Sequence, residues 1–178
     1  MNLIISFSSR DNGNCYEISK YISNKNDKNL KFKDLNIHSC SSCSYECFDT
    51  MCKYRNDDIY GLINSMFEYD KVYLIVPMYC NNPSSLYFIF NERCQDYFMH
   101  NEEKYNLLIN KLYFIGIYGS KKESPDFLNV FNKWFDESLI NNHVLGIERH
   151  LYNLKLNDSV ISVDKVKEQL NEFMQSIK

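Results

Sequence analysis

"KVYLIV", residues 71–76, decides the fold. Five of these six side chains are apolar without polar alternation, and Pro77 stops the run. A strand with one wet face alternates, whereas an unbroken apolar run belongs to a strand covered on both faces. Two further stretches share the pattern. "NLIISF" (2–7) breaks at the turn-rich "SSRDNGN", and "KLYFIGIYG" (111–119) ends at a glycine. "LKFKDLNI" (30–37) alternates instead, which predicts a strand with a polar side, and a weaker strand is expected near 143–152.

Helical patterns fill the gaps. Ile18, Tyr21 and Ile22 share one face after the first loop. "NDDIYGLINSMF" (56–67) opens on an Asn/Asp cap and brings Ile59, Leu62, Ile63, Met66 and Phe67 to helical spacing. Ser84 and Ser85 can cap a long helix running to about Met99. "ESPDFLNVFNKWFDESL" predicts one helix with Ser124 as cap and Pro125 at the first position. Val163, Val166, Leu170, Phe173 and Ile177 fall 3, 4, 3 and 4 residues apart. Five strands alternating with five helices imply one α/β domain over 1–178, a parallel sheet with both faces covered. Ligands of such sheets sit beyond the carboxyl ends of the strands, where strand order reverses. That rule points to loops 8–15, 77–84 and 118–124.

With 178 residues, 44 % apolar and 24 % charged, the chain has an ordinary globular balance. Its net charge of −3 argues against a general nucleic-acid binder, which would carry a basic excess. No apolar run approaches the roughly 20 residues of a membrane span. "MNLIISFSSRDNG" has no basic leader before its short apolar run, so it reads as a strand rather than a signal peptide, and a cytoplasmic location is expected. Thiols stay reduced there, and clustered cysteines more often bind metal or react than form disulfides.

"SSRDNGNC" (8–15) follows a strand and leads into a helix, where free backbone N–H groups and the helix dipole favour an anion. Ser8, Ser9, Asn14 and Arg10 would add donors; the plainer reading is a turn and a helix cap. The loop lacks both the lysine of a nucleotide-hydrolysing loop and the GxGxxG of dinucleotide binders. Cys40, Cys43, Cys47 and Cys52 hold four of the seven cysteines within thirteen positions. Such a run suits a 4Fe-4S cluster, a zinc ion drawn from one loop, or four free thiols. His38, His100, His143 and His150 are scattered and form no metal pattern. Cys80 lies beside the second loop without a visible basic partner, Cys94 and Trp134 fall at core spacing, and Glu102-Glu103-Lys104 reads as a solvated face.

Three segments in register resemble one family. "SFSSRDNGNC" (6–15) is similar to the first-loop signature G-S-P-R-x-x-G-N-T of the NADPH-dependent FMN reductases and iron–sulfur flavoproteins. "VPMYCNNPSSLYFIFNER" (76–93) resembles their Pro-x-Tyr loop and the helix ending in an acidic–Arg pair. The cysteine-rich stretch before "NDDI" resembles their middle segment. The likeness covers roughly residues 1 to 120. Phe7 stands for the usual Gly, Ser9 for Pro, Cys15 for Thr and Asn81 for Gly, and the gap between Cys43 and Cys47 is one residue longer.

The resemblance implies a flavodoxin-like three-layer sandwich with a five-stranded parallel sheet of order 2-1-3-4-5 and FMN at the strand ends. By that analogy Ser8, Arg10, Asn14 and Cys15 face the phosphate. Pro77, Met78, Tyr79, Cys80, Asn81 and Asn82 line the isoalloxazine ring, and Tyr118 and Gly119 close its other side. It also implies NAD(P)H as donor, a small-molecule or protein electron acceptor, a homodimer or homotetramer, and a 4Fe-4S cluster on Cys40, Cys43, Cys47 and Cys52. The rival expectation is a non-enzymatic binding module with a degenerate FMN site and a zinc-binding or free cysteine loop.

Overall fold

Side-chain parity organises this molecule around its sheet. The structure is a computed structural model, and it describes all residues except 42, 100, 120–125, 156 and 177–178. The strands are β1 (Asn2–Ser6), β2 (Lys28–Lys31), β3 (Lys71–Tyr79), β4 (Asn82–Pro83), β5 (Leu112–Tyr118) and β6 (Val144–Glu148). The helices are α1 (Asn14–Ile22), α2 (Glu46–Asp49), α3 (Asp58–Met66), α4 (Ser85–Phe98), α5 (Glu102–Ile109), α6 (Asp126–Asn132), α7 (Glu137–His143) and α8 (Asp164–Ser176). The sheet runs β2-β1-β3-β5-β6, all parallel, with β4 added antiparallel at the end of β3. Numbered without β4, this is the expected order 2-1-3-4-5. Among the described residues, no helix is long and apolar enough to cross a membrane.

Successive residues of a strand point to opposite faces. Leu3, Ile5, Val72, Leu74, Val76, Leu112 and Phe114 therefore join one buried cluster with residues of α3, α4 and α6. Ile4, Tyr73, Ile75, Tyr113, Ile115, Ile117 and Ile147 join the other with α1 and α8. Gly116 sits in β5 under α6, where an added Cβ would lie 2.7 Å from Leu128 Cδ2 and 2.8 Å from Phe127 Cε1. Phe127 and Phe131 are buried and cannot swing outward. Gly116→Ala is expected to cost about 1–3 kcal/mol by overpacking, read as a lower urea midpoint at unchanged slope.

Four expectations change. The 30–37 strand is β2, shifted to Lys28–Lys31 and followed by a 3-10 turn over Phe32–Asp34. As an edge strand it pairs only with β1, and the register Ser6↔Lys31 ends where β1 ends. The single helix after β5 is two, α6 and α7, because the chain turns between them so that Trp134 Nε1 donates to Tyr87 Oη at 2.9 Å. Its expected cap and first position, Ser124 and Pro125, lie outside the described residues, as does Ile177 at the end of the last pattern. The weak strand at 143–152 is β6, five residues long, and a 3-10 turn follows it. The run at 102–104 is exposed as expected but opens α5, which Leu108 anchors in the core.

Candidate functional site

The first loop begins where the backbone of Phe7 prolongs the sheet, its N–H donating to Ile75 O at 2.9 Å. The Phe7 side chain points into the core and stacks on Phe32 at 4.8 Å, so its bulk stays out of the loop. Ser8 Oγ accepts from Arg10 N at 3.1 Å and folds the turn locally. Gly13, with φ of 145°, precedes α1 in a conformation that L side chains rarely adopt. Asn14 Oδ1 accepts from Val160 N at 2.9 Å, tying the loop to the segment before α8. Asp11 is exposed and ion-paired to Lys33 at 2.6 Å and Lys31 at 3.2 Å. Hydrogen bonds from these two lysines hold its carboxyl below the usual range. Asp11 therefore leaves Arg10 uncompensated, and among the described residues its guanidinium has no ion pair.

The second loop is a two-residue hairpin joining β3 to β4, with Tyr79 opposite Asn82. Cys80 (φ 48°) and Asn81 (φ 63°) both take left-handed backbone, as a type I′ turn demands. Asn suits that region; the cysteine at Cys80 does so at some cost. Ser84 then closes the base, donating to Phe7 O at 2.7 Å and accepting from Tyr87 N at 3.4 Å as the cap of α4.

Beyond the strand ends these loops enclose a cleft of about 290 Å3, bounded by Arg10, Asn14, Cys15, Pro77, Met78, Tyr79, Ile117, Tyr118, Gly119 and Arg149. Eight of the twelve residues named for a flavin line it. Ser8 is buried in the turn beneath, and Cys80, Asn81 and Asn82 stand exposed on the hairpin. Cys15 is nearly fully buried and clusters with Ile18 and Ile22; burial pushes its thiol up to about 12. It acts as a small apolar residue there rather than as a phosphate donor. Tyr118 is half-buried, and burial followed by the charge of Glu148 raises its phenol, which stays neutral. Ile117 and Arg149 were not foreseen. Arg149 falls inside the strand expected near 143–152, and only the end of β6 at Glu148 brings it to the cleft.

The fold has counterparts among solved structures. The Trp repressor binding protein from Bacillus subtilis superimposes with a TM-score of 0.67 at 10 % identity, covering 98 % of this chain and 97 % of that one. An FMN-dependent NADH-azoreductase from Bacillus anthracis in complex with FMN gives 0.55 at 10 % identity, over 99 % and 97 %. The fold is flavodoxin-like. RosB, with a bound 8-demethyl-8-formylriboflavin-5'-phosphate, matches the same flavodoxin-like frame at 0.63 and 11 % identity, over 99 % and 78 %. No family model and no curated protein matches the chain. At these identities the likeness establishes the flavodoxin-like fold alone.

A second cavity, of about 380 Å3, is lined by Cys40, Cys43, Cys47 and Cys52 together with Tyr54, Arg93 and Asp96. Yet among the described residues no three of His, Cys, Asp or Glu stand together as metal ligands. A 4Fe-4S or zinc site on these four cysteines therefore finds no support among the described residues. Ser44 and Tyr45 take left-handed backbone, Cys47 then sits in the short helix α2, and all four thiol-bearing residues line the one cavity. Burial and then the Asp96 carboxylate raise the Cys47 thiol; burial outweighs the help of Tyr54 N–H and Arg93 at Cys52, which also hydrogen-bonds Asp96. A maleimide under native conditions is expected to modify exposed Cys40 and Cys80 first, and buried Cys15 and Cys94 only after unfolding, as peptide mass mapping would read.

The ends of this loop meet at one buried ion pair. Asp57 caps α3 by accepting from Ile59 N at 3.0 Å, and it also accepts from His38 N at 2.9 Å and Arg93 Nη1 at 2.7 Å. Arg93 further donates to His38 O at 2.9 Å and Tyr54 O at 3.2 Å. Burial pushes the Asp57 carboxyl up, but His38 N–H, Arg93 and Ile59 N–H together outweigh it and hold it below the usual carboxylate range. The acidic–Arg pair quoted in the second signature thus supplies, through Arg93, the clasp of the cysteine loop.

Proposed function

We propose that this chain binds FMN in the three-loop cleft and works as an NAD(P)H-dependent flavin oxidoreductase. The supporting observation is the cleft itself, in which apolar and aromatic walls from Met78, Tyr79 and Tyr118 lie between two arginines, Arg10 and Arg149, that have no ion pair among the described residues. A phosphate monoester would meet Arg10 and the N–H groups opening α1. The ring would lie against Met78, Tyr79 and Tyr118, where apolar contact and offset stacking suit a planar heterocycle. Bound flavin accepts hydride from a reduced nicotinamide and passes electrons to a small-molecule or protein acceptor. The side chains bind, orient and exclude water, and none is required as acid or base. Assembly as a homodimer or homotetramer belongs to the same proposal.

One observation favours the rival module: Ser8 Oγ and Asn14 Oδ1 are spent inside the protein, and Cys15 is buried. Titration of the chain with FMN and riboflavin, followed by flavin fluorescence, separates the two. Saturable FMN binding, tighter than riboflavin binding, with bleaching of the bound flavin by NADH or NADPH without oxygen, is expected. A chain that takes up neither flavin is the binding module.

A further inference from the structure

We infer that Arg149 is the charge-compensating residue of this cleft, stabilising the negative charge that a bound flavin ring acquires on reduction. The inference rests on the FMN reading above. In the order β2-β1-β3-β5-β6, the ends of β1 and β6 are three strand spacings apart, roughly 14 Å. Arg10 follows β1 and Arg149 follows β6, so the two arginines bordering the cleft enter it from strands on either side of β3 and β5. A ligand whose phosphate occupies the Arg10 end presents its other end to Arg149.

Arg149 is held for such a task. Its Cβ and Nη1 come within 3.7 Å, and its Cδ within 3.8 Å, of where a Cβ on Gly119 would lie, so the side chain runs along Gly119 as part of the cleft wall. Nη2 donates to Lys155 O, and Nε is buried with no partner. Among the described residues Arg149 makes no ion pair, and the adjacent Glu148 places Oε1 2.9 Å from His150 Nδ1 instead. No aspartate or glutamate is among the described residues that bound the cleft.

The chemistry calls for a cation at that end. Hydride carries two electrons and one proton from the nicotinamide, which leaves as its oxidised cation. The neutral oxidised ring thereby gains one negative charge unless it takes a second proton from solvent. A guanidinium beside the ring favours the reduced over the oxidised state, most strongly where water is excluded.

The test is the midpoint potential of bound FMN in the native holoprotein, in Arg149→Met and in Arg149→Lys, with dissociation constants for FMN and riboflavin measured alongside. Arg149→Met is expected to lower the preference for reduced over oxidised flavin about tenfold, a fall of ~30 mV for a two-electron couple. The preference for FMN over riboflavin should not change, since the phosphate lies at the other end. Arg149→Lys should keep the native potential. An unchanged potential in Arg149→Met overturns the inference while leaving FMN binding intact. Equal falls in both variants overturn it too, tracing the effect to the lost contact with Lys155. A native chain that binds no FMN in the titration removes the flavin reading itself, and this inference with it.

Discussion

Arg93→Met is expected to destabilise the protein by about 3–5 kcal/mol, because it strands the Asp57 carboxylate, whose side chain is only 2 % exposed. Asp57 would keep His38 N–H and Ile59 N–H but lose its counter-ion, and His38 O and Tyr54 O would lose their donor. Asp57→Asn should be costly for the complementary reason, a buried guanidinium without a carboxylate. The double variant should cost less than the sum of the two, since it leaves no buried charge unpaired. Urea unfolding of all four proteins reads this directly. A loss below about 1 kcal/mol in Arg93→Met would show that the pair behaves like a surface salt bridge. The pH dependence follows the sign of the Asp57 shift. Its folded-state carboxyl is depressed, so the stability it contributes is present above the ordinary value near 3.9 and is lost as pH falls through the lower folded value. The native urea midpoint should hold between about pH 5 and 7 and fall in more acid solution. Arg93→Met should show a shallower acid loss, because one cause of the depression is gone.

Arg10→Ala carries the second large effect, on binding rather than stability. Its exposed guanidinium has no ion pair among the described residues, and no core contact depends on it. If it holds the FMN phosphate, its removal takes away charge-assisted hydrogen bonds of about 1.5–3 kcal/mol, roughly a ten- to hundredfold rise in the FMN dissociation constant. Riboflavin, which lacks the phosphate, should bind the variant as it binds the native chain. The two flavins would then converge in affinity. Equal weakening of both would remove Arg10 from the phosphate and leave the neighbouring N–H groups of the loop to hold it.

The apolar runs at 2–7, 71–76 and 111–119 were enough to predict a buried parallel sheet, since only strands covered on both faces tolerate such patterns. The loops at their carboxyl ends followed from that, and residues named in all three meet in one cleft. What periodicity could not carry was the partner of each side chain. Cys15 is read from sequence as a loop residue facing a phosphate, yet neighbours on β3 and α1 draw it into the core. Lys31 ends β2 because β1 offers no partner beyond Ser6, a limit set in the strand beside it and not in the local pattern. Four cysteines at suitable spacing still need their thiols turned to one point, which spacing alone does not set; among the described residues no three metal-ligating side chains stand together.

The amino-acid sequence alone thus determined the layers, the strand directions and which loops border the cleft, because these depend on short-range alternation and on chain connectivity. Only the tertiary structure decided that Arg149 joins Arg10 across the cleft and that Arg93 meets Asp57 thirty-six residues away. Those contacts are made between segments with no common periodicity, and packing in three dimensions is the sole force that brings them together.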